Sequence, residues 1–249
     1  MKLSVVIPVY NEAAGIGPTL SALLNQSDTD FDVVFCDNNS TDGTGDLIRE
    51  FAATHALDWV VVEESRKGTG AAADTACRAA IARGATHLAR TDADCVPAPN
   101  WVEAIKSLFD RGFEFISGWS EARRDDPPIS QARVRQLAAA TELAVLFGKV
   151  RPSNRGHEFK GPYQMTSGNN MAISSALYEQ VGGFTRTAIE EVHEDRELIN
   201  AVRRVTNRYV FSRRVLVYAS ARRVQAWGLV ATLEWYRRHR RPAGTVDVR

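Results

Sequence analysis

The first half of the chain alternates short apolar runs with segments whose apolar residues recur every three or four positions. Short runs rich in Val, Ile and Phe predict strands, whereas the recurring spacing predicts amphipathic helices. The predicted strands are residues 3–9, 31–36, 59–62, 86–91 and 113–117. The predicted helices are residues 18–25, 46–53, 71–83 and 101–109. This alternation predicts an α/β fold with a mostly parallel central sheet and helices on both faces.

The pattern becomes less regular after residue 119. Two polar segments, 121–128 and 151–164, predict exposed loops because they carry charges, Pro or Gly. The segment between them has helical spacing over residues 131–147, and its candidate packing residues are Val134, Leu137, Leu143, Val145 and Leu146. An ordered segment is predicted at residues 165–173. Helices are predicted at 175–181, 196–205 and 229–239, and a strand is predicted at 209–218. Because no linker divides the chain, we predict a single domain over 1–249, in which 119–249 extends 1–118 on the substrate side.

Composition excludes several classes of protein. The chain has 249 residues, of which 44% are hydrophobic, enough for a sizeable core, and its formal net charge of +1 gives no field that would attract nucleic acid. Three cysteines, Cys36, Cys77 and Cys95, are too few and too scattered for a disulfide framework, so a reducing, cytoplasmic compartment is expected. The N-terminal apolar run is interrupted by Pro8 and predicts a strand rather than a signal peptide. No stretch approaches the roughly 20 apolar residues that cross a bilayer.

Polar clusters follow the predicted strands, at the sheet edge where ligands of such folds bind. After the first strand, Pro8 leads to Tyr10, which offers a flat ring, and Glu12, which offers an acceptor, where a nucleotide base could lie. An ordinary turn is the alternative. After the second strand, Asp37 stands where it could accept a base N–H. The Asn, Ser and Thr residues that follow are equally explained by turns and helix caps.

The third strand leads into a glycine-rich turn at residues 66–73 that matches the G-x-G-x-x-A dinucleotide fingerprint. That fingerprint normally follows the first strand of a dehydrogenase, and here two strand–helix units come earlier. The turn nevertheless suits a diphosphate, because Lys67 supplies a cation. Gly70 also stands at the start of a predicted helix, whose first N–H groups have no acceptor within the helix. A plain tight turn is the alternative.

Two carboxylates follow the fourth strand in the D-x-D pattern formed by Asp92 and Asp94. In an extended chain these side chains point to the same side, and two converging carboxylates repel each other unless a cation lies beside them. Carboxylate oxygens suit hard divalent ions such as Mg²⁺ or Mn²⁺, which share their shell with substrate phosphates. A solvated acidic turn is the alternative.

The second half adds two further candidate clusters. Gly168 permits a close backbone approach, and the amides of Asn169 and Asn170 could hold sugar hydroxyls; a bulged strand entry is the alternative. Glu194 and Asp195 precede a predicted helix, whose dipole keeps a carboxylate ionised. Asp195 would therefore be ionised and available as a base. The alternative is that Glu194 and Asp195 only stabilise the positive end of the helix dipole.

The last cluster is basic. Arg222 and Arg223 could reach a diphosphate through bidentate hydrogen bonds. The run at residues 235–241 could lie on an anionic membrane surface, with Trp227, Trp235 and Tyr236 as interfacial anchors. A solvated basic helix is the alternative for this run.

Taken in chain order, these clusters resemble the motifs of family-2 glycosyltransferases, nucleotide-sugar-dependent enzymes of the GT-A fold. The matching segments are 5–12, 37–44, 91–94, 167–172, 181–184 and 194–195. The resemblance implies that the donor base is held by Pro8, Tyr10, Glu12 and Asp37. It also implies that Asp92 lies near the ribose, that Asp94 binds a divalent cation bridging the diphosphate, and that residues 168–170 line the sugar site. Asp195 matches the catalytic base of the family, with Glu194 beside it.

Two departures narrow the expected activity. The Q-x-x-R-W motif of processive synthases is absent, since residues 222–227 carry similar residues in another order, and so are the synthases' transmembrane helices. We therefore expect a single, inverting transfer from a UDP- or GDP-linked sugar, in which Mn²⁺ or Mg²⁺ and the cations Lys67 and Arg222 stabilise the leaving diphosphate. The acceptor would be a glycan, a lipid-linked molecule or a small molecule. A retaining transferase, a sugar nucleotidyltransferase and a non-catalytic nucleotide-sugar sensor are the alternatives.

Overall fold

The computed structural model describes residues 1–126, 128–151, 154–186 and 194–228. Its strands are β1 Leu3–Val9, β2 Asp32–Asp37, β3 Trp59–Glu63, β4 His87–Thr91, β5 Cys95–Pro97, β6 Phe115–Ala122, β7 Asn170–Ser174 and β8 Tyr209–Ala219. Its helices are α1 Gly17–Leu24, α2 Thr44–Thr54, α3 Thr69–Ala82, α4 Trp101–Asp110, α5 Gln131–Val150, α6 Ser175–Gln180 and α7 Glu194–Val205. Residues 222–228 are also helical.

The strands form one mixed sheet in the order β3-β2-β1-β4-β7-β6-β8-β5. The first four strands of this order run parallel, because helices connect them and return the chain to the same end of the sheet. β6 and β8 are also parallel to each other, whereas β7 is antiparallel to both β4 and β6, and β5 is antiparallel to β8. The predicted α/β fold with a mostly parallel sheet is confirmed.

The alternation along β1 explains how helices cover both faces of the sheet. Val5 and Ile7 belong to a core shared with α1, α2 and α4, whereas Val6, between them, packs in a second core with α3, α6 and α7. Successive side chains of a strand point to opposite faces, so a wholly apolar strand requires cover on both sides. The small residues Ala72 and Ala76 let α3 lie close to the sheet.

The second half of the chain departs from its prediction in several places. The strand β5 was not predicted, and the segment predicted as an exposed loop contains the end of β6 and the buried Arg123, which pairs with Asp125 at 2.9 Å. Leu143 and Leu146, predicted to pack, are instead exposed on α5. The terminal helix predicted at 229–239 lies outside the described residues. Within the described ranges, no helix has both the length and the apolar character needed to cross a bilayer.

Candidate active site

The carboxyl ends of β1 and β2 are joined by a network of polar side chains. Asn11, whose φ of 51° is left-handed, accepts the Thr41 N–H on its Oδ1 at 2.8 Å. The Thr44 hydroxyl accepts the Glu12 N–H at 2.9 Å. Asp37, at the end of β2, accepts the Ser40 N–H on Oδ1 at 2.8 Å. This network holds two adjacent loops in one rigid arrangement, which is the property that a nucleotide-binding edge requires.

The glycine-rich turn after β3 is held by Asn38, which is not among the site residues predicted from the sequence. The buried Asn38 carboxamide donates to the Glu64 and Arg66 carbonyls at 2.7 and 2.8 Å and accepts the Gly68 N–H at 2.9 Å. The turn leaves Lys67 exposed, with its Nζ 6.0 Å from the centre of the Tyr10 ring. Two predicted donor contacts are therefore neighbours, a flat ring and a cation.

Gly70 has a packing role in the structure. It lies buried in the first turn of α3, and a Cβ at this position would collide with the carbonyl oxygen of Thr185. The absence of a side chain therefore allows α3 to pack against the segment that precedes α7. This gives a structural reason for glycine at the position where the sequence predicted a phosphate contact.

A buried arginine connects the end of β4 with the start of α7. Arg90 is 3% exposed, and its Nη2 donates to Glu194 Oε1 at 3.1 Å and lies 3.5 Å from Asp92 Oδ1. Its guanidinium also lies 4.8 Å from the centre of the Phe184 ring. Arg90 is not among the site residues predicted from the sequence, although a single arginine within an apolar strand is unusual enough to indicate a functional or structural role. The side chain therefore links the D-x-D pattern to the predicted catalytic pair.

Asp195 is a half-buried carboxylate whose two oxygens are oriented by backbone N–H groups. Gly168 donates its N–H to Oδ2 at 3.1 Å, and Arg196 donates its N–H to Oδ1 at 2.6 Å. Burial raises the pKa of Asp195 to about 6, Glu194 adds to the rise, and Arg90 opposes it. A general base is most effective when its pKa approaches the working pH, so this environment suits proton abstraction.

Asp92 shares this environment. Burial raises the pKa of Asp92 to about 6, and the positive charge of Arg90 acts in the opposite direction. Its Oδ1 is buried without a hydrogen-bond partner among the described residues. This oxygen faces Arg90 Nη2 at 3.5 Å, whereas the side chain as a whole is 34% exposed, so the accessible part of the carboxylate is the part that a hydroxyl donor such as that of a ribose could reach.

Arg222 brings together acidic residues from three parts of the chain. Its Nη2 lies 2.7 and 2.8 Å from the two carboxylate oxygens of Glu12 and 3.4 Å from Asp94 Oδ2, and its Nε lies 3.9 Å from Asp126. Burial raises the pKa of Glu12, and the contact with Arg222 opposes this rise. Glu12, predicted to contact a base, is thus engaged by the residue predicted to contact the diphosphate.

The residues around Arg222 fit a divalent cation that a substrate helps to hold. The carboxylates of Glu12, Asp94 and Asp126 lie around the Arg222 guanidinium, and Arg123 also reaches Asp126 at 3.7 Å. The three carboxylates therefore outnumber the guanidinium groups by one, and the Asp94 side chain remains 32% exposed. Among the described residues, no three acidic, His or Cys side chains are grouped as a complete metal cage. Mg²⁺ commonly uses only one or two carboxylates and completes its shell with phosphates and water, and Asp94 satisfies that requirement.

The three residues of the predicted sugar-binding segment, 168–170, lie in different environments in the structure. Gly168 lies against Arg90, whose Nη2 would be 3.0 Å from a Cβ at this position, and Asn169 is half-buried and accepts the Ser120 hydroxyl at 2.9 Å. Asn170 is not brought into the open site. It is fully buried and accepts from Trp101 Nε1 at 2.9 Å, and it donates to two backbone carbonyls at 2.8 and 3.0 Å.

The predicted site residues therefore lie in three groups along the carboxyl edge of the sheet. Tyr10, Asp37 and Lys67 mark one end, the Arg222 group lies beyond β1 and β4, and the Arg90 group reaches α7. The basic run predicted at 235–241 lies outside the described residues.

The model of one protein family, glycosyl transferase family 2, matches residues 4–182, which are most of the chain. Among curated relatives, the glycosyltransferase AglE of Haloferax volcanii is 33% identical over 119 residues, which are 47% of this chain and 38% of AglE. The chondroitin synthase of Escherichia coli is 31% identical over 124 residues, 50% of this chain and 18% of the synthase. The chain thus spans less than half the length of either relative. The putative glycosyltransferase EpsE of Bacillus subtilis is 23% identical over 90% of this chain and 83% of its own length.

Solved structures share the fold. The mannosyltransferase PcManGT of Pyrobaculum calidifontis, in complex with GDP-Man and Mn2+, has a TM-score of 0.66 and 25% identity, covering 97% of this chain and 66% of that one. Residues 1–349 of S. aureus TarS, in complex with UDP-GlcNAc, have a TM-score of 0.64 and 18% identity, covering 88% of this chain and 58% of that one.

Proposed function

The chain belongs to glycosyl transferase family 2, and from that premise we propose that it transfers a sugar from a nucleoside diphosphate donor to an acceptor hydroxyl. Its predicted GT-A fold is confirmed by the mixed sheet and by its likeness to the two glycosyltransferase structures. The observation that carries the proposal is the environment of Asp195, a half-buried carboxylate held by two backbone N–H groups at the sheet edge where the donor residues gather.

The donor would lie along the carboxyl ends of β1 to β4. Tyr10 and Asp37 would contact the base, Asp92 would accept a ribose hydroxyl, and Lys67 and Arg222 would donate to the diphosphate. The exposed position of Lys67 beside the Tyr10 ring supports the first part of this arrangement. The complexes of PcManGT with GDP-Man and of TarS with UDP-GlcNAc support a UDP- or GDP-linked donor.

Asp94 would hold the divalent cation, Mn²⁺ or Mg²⁺, together with the donor diphosphate. When bound, such an ion acts as a Lewis acid on the leaving diphosphate. The excess of carboxylates around Arg222 supports this assignment, as does the Mn2+ in the PcManGT complex. Arg222 would then exchange its contact with Asp94 for the phosphate oxygens, to which guanidinium groups donate well.

Catalysis would invert the anomeric carbon in a single transfer. Asp195 would take the proton from the acceptor hydroxyl as its oxygen attacks the anomeric carbon and the nucleoside diphosphate leaves. Arg90 would keep Glu194, the neighbour of this base, in place. Gly168 would orient the carboxylate through its N–H and line the sugar site with Asn169. The anomeric configuration of the product, measured by NMR, separates this course from retention.

The proposal is tested by replacing Asp195 with Asn. A thermal-shift panel of UDP- and GDP-linked sugars with Mn²⁺ first identifies the donor, because a ligand that binds only the folded state raises its stability. The acceptor is then chosen as the glycan, lipid-linked saccharide or small alcohol that gives the fastest release of nucleoside diphosphate. Asp195→Asn should retain donor affinity in calorimetry and lose about 10²–10⁴-fold in transfer rate.

The matched control is Glu197→Gln, which removes an exposed carboxylate from the same first turn of α7. It should leave the transfer rate within a factor of two or so, because it makes no contact with the Arg90 group and exposed substitutions change little. Full activity in Asp195→Asn would exclude Asp195 as the base. Release of pyrophosphate instead of a nucleoside diphosphate would indicate a nucleotidyltransferase.

A further inference from the structure

The longest helix, α5, carries an apolar face that nothing in the described structure covers. Four side chains on this face, hereafter the α5 stripe, are exposed: Leu143 by 67%, Leu146 by 59%, Phe147 by 65% and Val150 by 52%. Their spacing of three, four and seven residues from the first places them on one side of the helix. Large contiguous apolar patches on a surface usually mark an interaction site.

The way in which α5 is attached explains why the stripe faces outward. Gly148 is the only buried residue of the helix, and a Cβ at this position would collide with the ring of Tyr163. The end of the helix is fastened by Asn154, which donates to the Gly148 carbonyl at 2.7 Å, and by Arg155, which donates to the Lys149 carbonyl at 2.8 Å. The helix is thus held by its Gly148 side, and the stripe is left to the solvent.

A cationic cleft of about 390 Å³ opens at this same end of α5. Its lining includes Lys149, Arg155, Arg203 and the rings of Phe159 and Tyr163. Arg203 is 1% exposed, and its guanidinium lies 3.9 Å from the centre of the Phe159 ring. It donates to the Asn154 and Gly161 carbonyls at 2.7 and 3.3 Å.

Arg203 is held by polar groups rather than by a described carboxylate, since its Nη1 also donates to Asn200 Oδ1 at 3.2 Å. In the described part of the chain, no carboxylate lies within ion-pair distance of it, and its buried Nε has no hydrogen-bond partner. A buried charge normally has an opposite charge beside it, so an unpaired guanidinium on a cleft with two further cations indicates a site for an anion. The carboxylate of Glu158 lies against Gly156, which also lines the cleft.

The surroundings of the stripe are basic. Lys149, Arg151 and Arg155 are exposed at the end of α5, and none forms an ion pair with another described residue. The single acid of the helix, Glu142, is engaged by Arg213 at 2.6 Å. An apolar helix face bordered by cations is the pattern of helices that lie in the interface of an anionic bilayer.

We propose that the α5 stripe and the cationic cleft form a docking surface for an anionic lipid bilayer, with the stripe in the acyl boundary and a lipid headgroup phosphate in the cleft. A second copy of the chain is a poorer occupant for two reasons. Four side chains offer less than the roughly 800 Å² per partner that a stable interface buries. A symmetric contact would also bring two sets of the same cations together.

The cleft shares α7 with the proposed catalytic base. Arg203, which lines the cleft, lies on α7 eight residues after Asp195, so about 12 Å of helix separates the two. The docking proposal goes beyond the transfer reaction and stands without it, since binding to lipid requires no catalysis.

The test is co-sedimentation of the full chain with sucrose-loaded vesicles, either of phosphatidylcholine alone or of equimolar phosphatidylcholine and phosphatidylglycerol. The wild type should bind the anionic vesicles, and added salt should weaken the binding. Leu146→Ser/Phe147→Ser should lower the partition coefficient by at least about tenfold, equivalent to about 1.4 kcal/mol. Lys149→Glu/Arg151→Glu should cause a similar loss on anionic vesicles and little change on neutral ones.

The matched control is Ala132→Ser/Gln136→Ser, two exposed positions at the other end of α5, which should bind as the wild type does. Circular dichroism melting verifies that each variant is folded, as expected for exposed positions. The basic run at 235–241 stays intact in every variant, so equal vesicle binding by all of them would overturn the assignment to α5. A dimer seen by light scattering and abolished by Leu146→Ser/Phe147→Ser would assign the stripe to a second copy and would also overturn it.

Discussion

Replacement of Arg90 by Met tests whether this buried charge holds the site together. Met has a similar length and no charge, so the change leaves Glu194 and Asp92 without the guanidinium that now lies 3.1 and 3.5 Å from their oxygens. Breaking a buried ion pair by removing one partner costs about 3–5 kcal/mol. The Asp92 side chain is 34% exposed and is partly screened by water, so the Glu194 contact carries most of the loss. We expect a loss of about 3 kcal/mol, the lower end of that range.

The loss should depend on pH in a defined direction. The pKa of Asp195 is raised from 3.8 to about 6 in the folded protein, and Arg90 opposes the rise. A raised carboxyl pKa means that stability is fully present below about pH 4 and is lost as the pH rises through the folded pKa. Without Arg90 this pKa rises further, and the ionised carboxylate destabilises the fold more. The difference from wild type should therefore be larger at pH 8 than at pH 5.

The measurement is urea unfolding followed by tryptophan fluorescence at both pH values, with the free energy of unfolding from linear extrapolation. Arg49→Met is the matched control, because Arg49 forms an exposed ion pair with Asp46, and such pairs contribute about 0–1 kcal/mol. Arg90→Lys keeps the charge and should recover part of the stability. Equal unfolding free energies of Arg90→Met and Arg49→Met at pH 8 would refute the reasoning, as would a loss of the same size at pH 5.

Three further predictions concern single residues of the site and of the core beside it. The rate of transfer should fall as the pH drops through about 6, because Asp195 then takes up a proton and no longer acts as a base; a pH profile of kcat/KM that is flat from pH 5 to 8 would contradict this. Asn170→Ala should cost about 2–3 kcal/mol, since it leaves the Trp101 N–H and two carbonyls buried without partners, and thermal or urea unfolding measures the loss. Asp94→Ala should abolish the Mn²⁺-dependent part of donor affinity in calorimetry, and an unchanged affinity would remove Asp94 from the cation site.

The elements of the first half were predictable because their signals are local. Alternation with a period of two and recurrence every three or four residues arise within a single segment, so β1 was predicted with its observed bounds. The other elements of this half were predicted within about two residues, apart from β5 and the last five residues of β6. Parallel pairing also followed, since each strand is separated from the next by a helix. The polar residues at the strand ends could be identified for the same reason.

Tertiary structure decided which of those residues meet. Arg222 contacts Glu12 across 210 positions, and Arg90 contacts Glu194 across 104 positions. No local pattern carries such information, because these contacts depend on how the whole sheet is assembled. The antiparallel insertion of β7 likewise follows from a long excursion of the chain, and it buries Asn170, for which the sequence left both a sugar contact and a strand entry open.

The exposure of a helix face was beyond the sequence for a related reason. The spacing of Leu143 and Leu146 indicates that they share a side of α5, and that side was predicted to pack. The apolar periodicity indicates that one face of the helix is apolar. It does not indicate whether that face packs against the same chain or against an external surface. The close contact of Gly148 with Tyr163 decides the matter, because it fixes the opposite side of α5 to the domain. The sequence by itself thus determined the elements, their order and the chemistry at the strand ends, whereas long-range packing alone determined which side chains are buried, paired or free to bind.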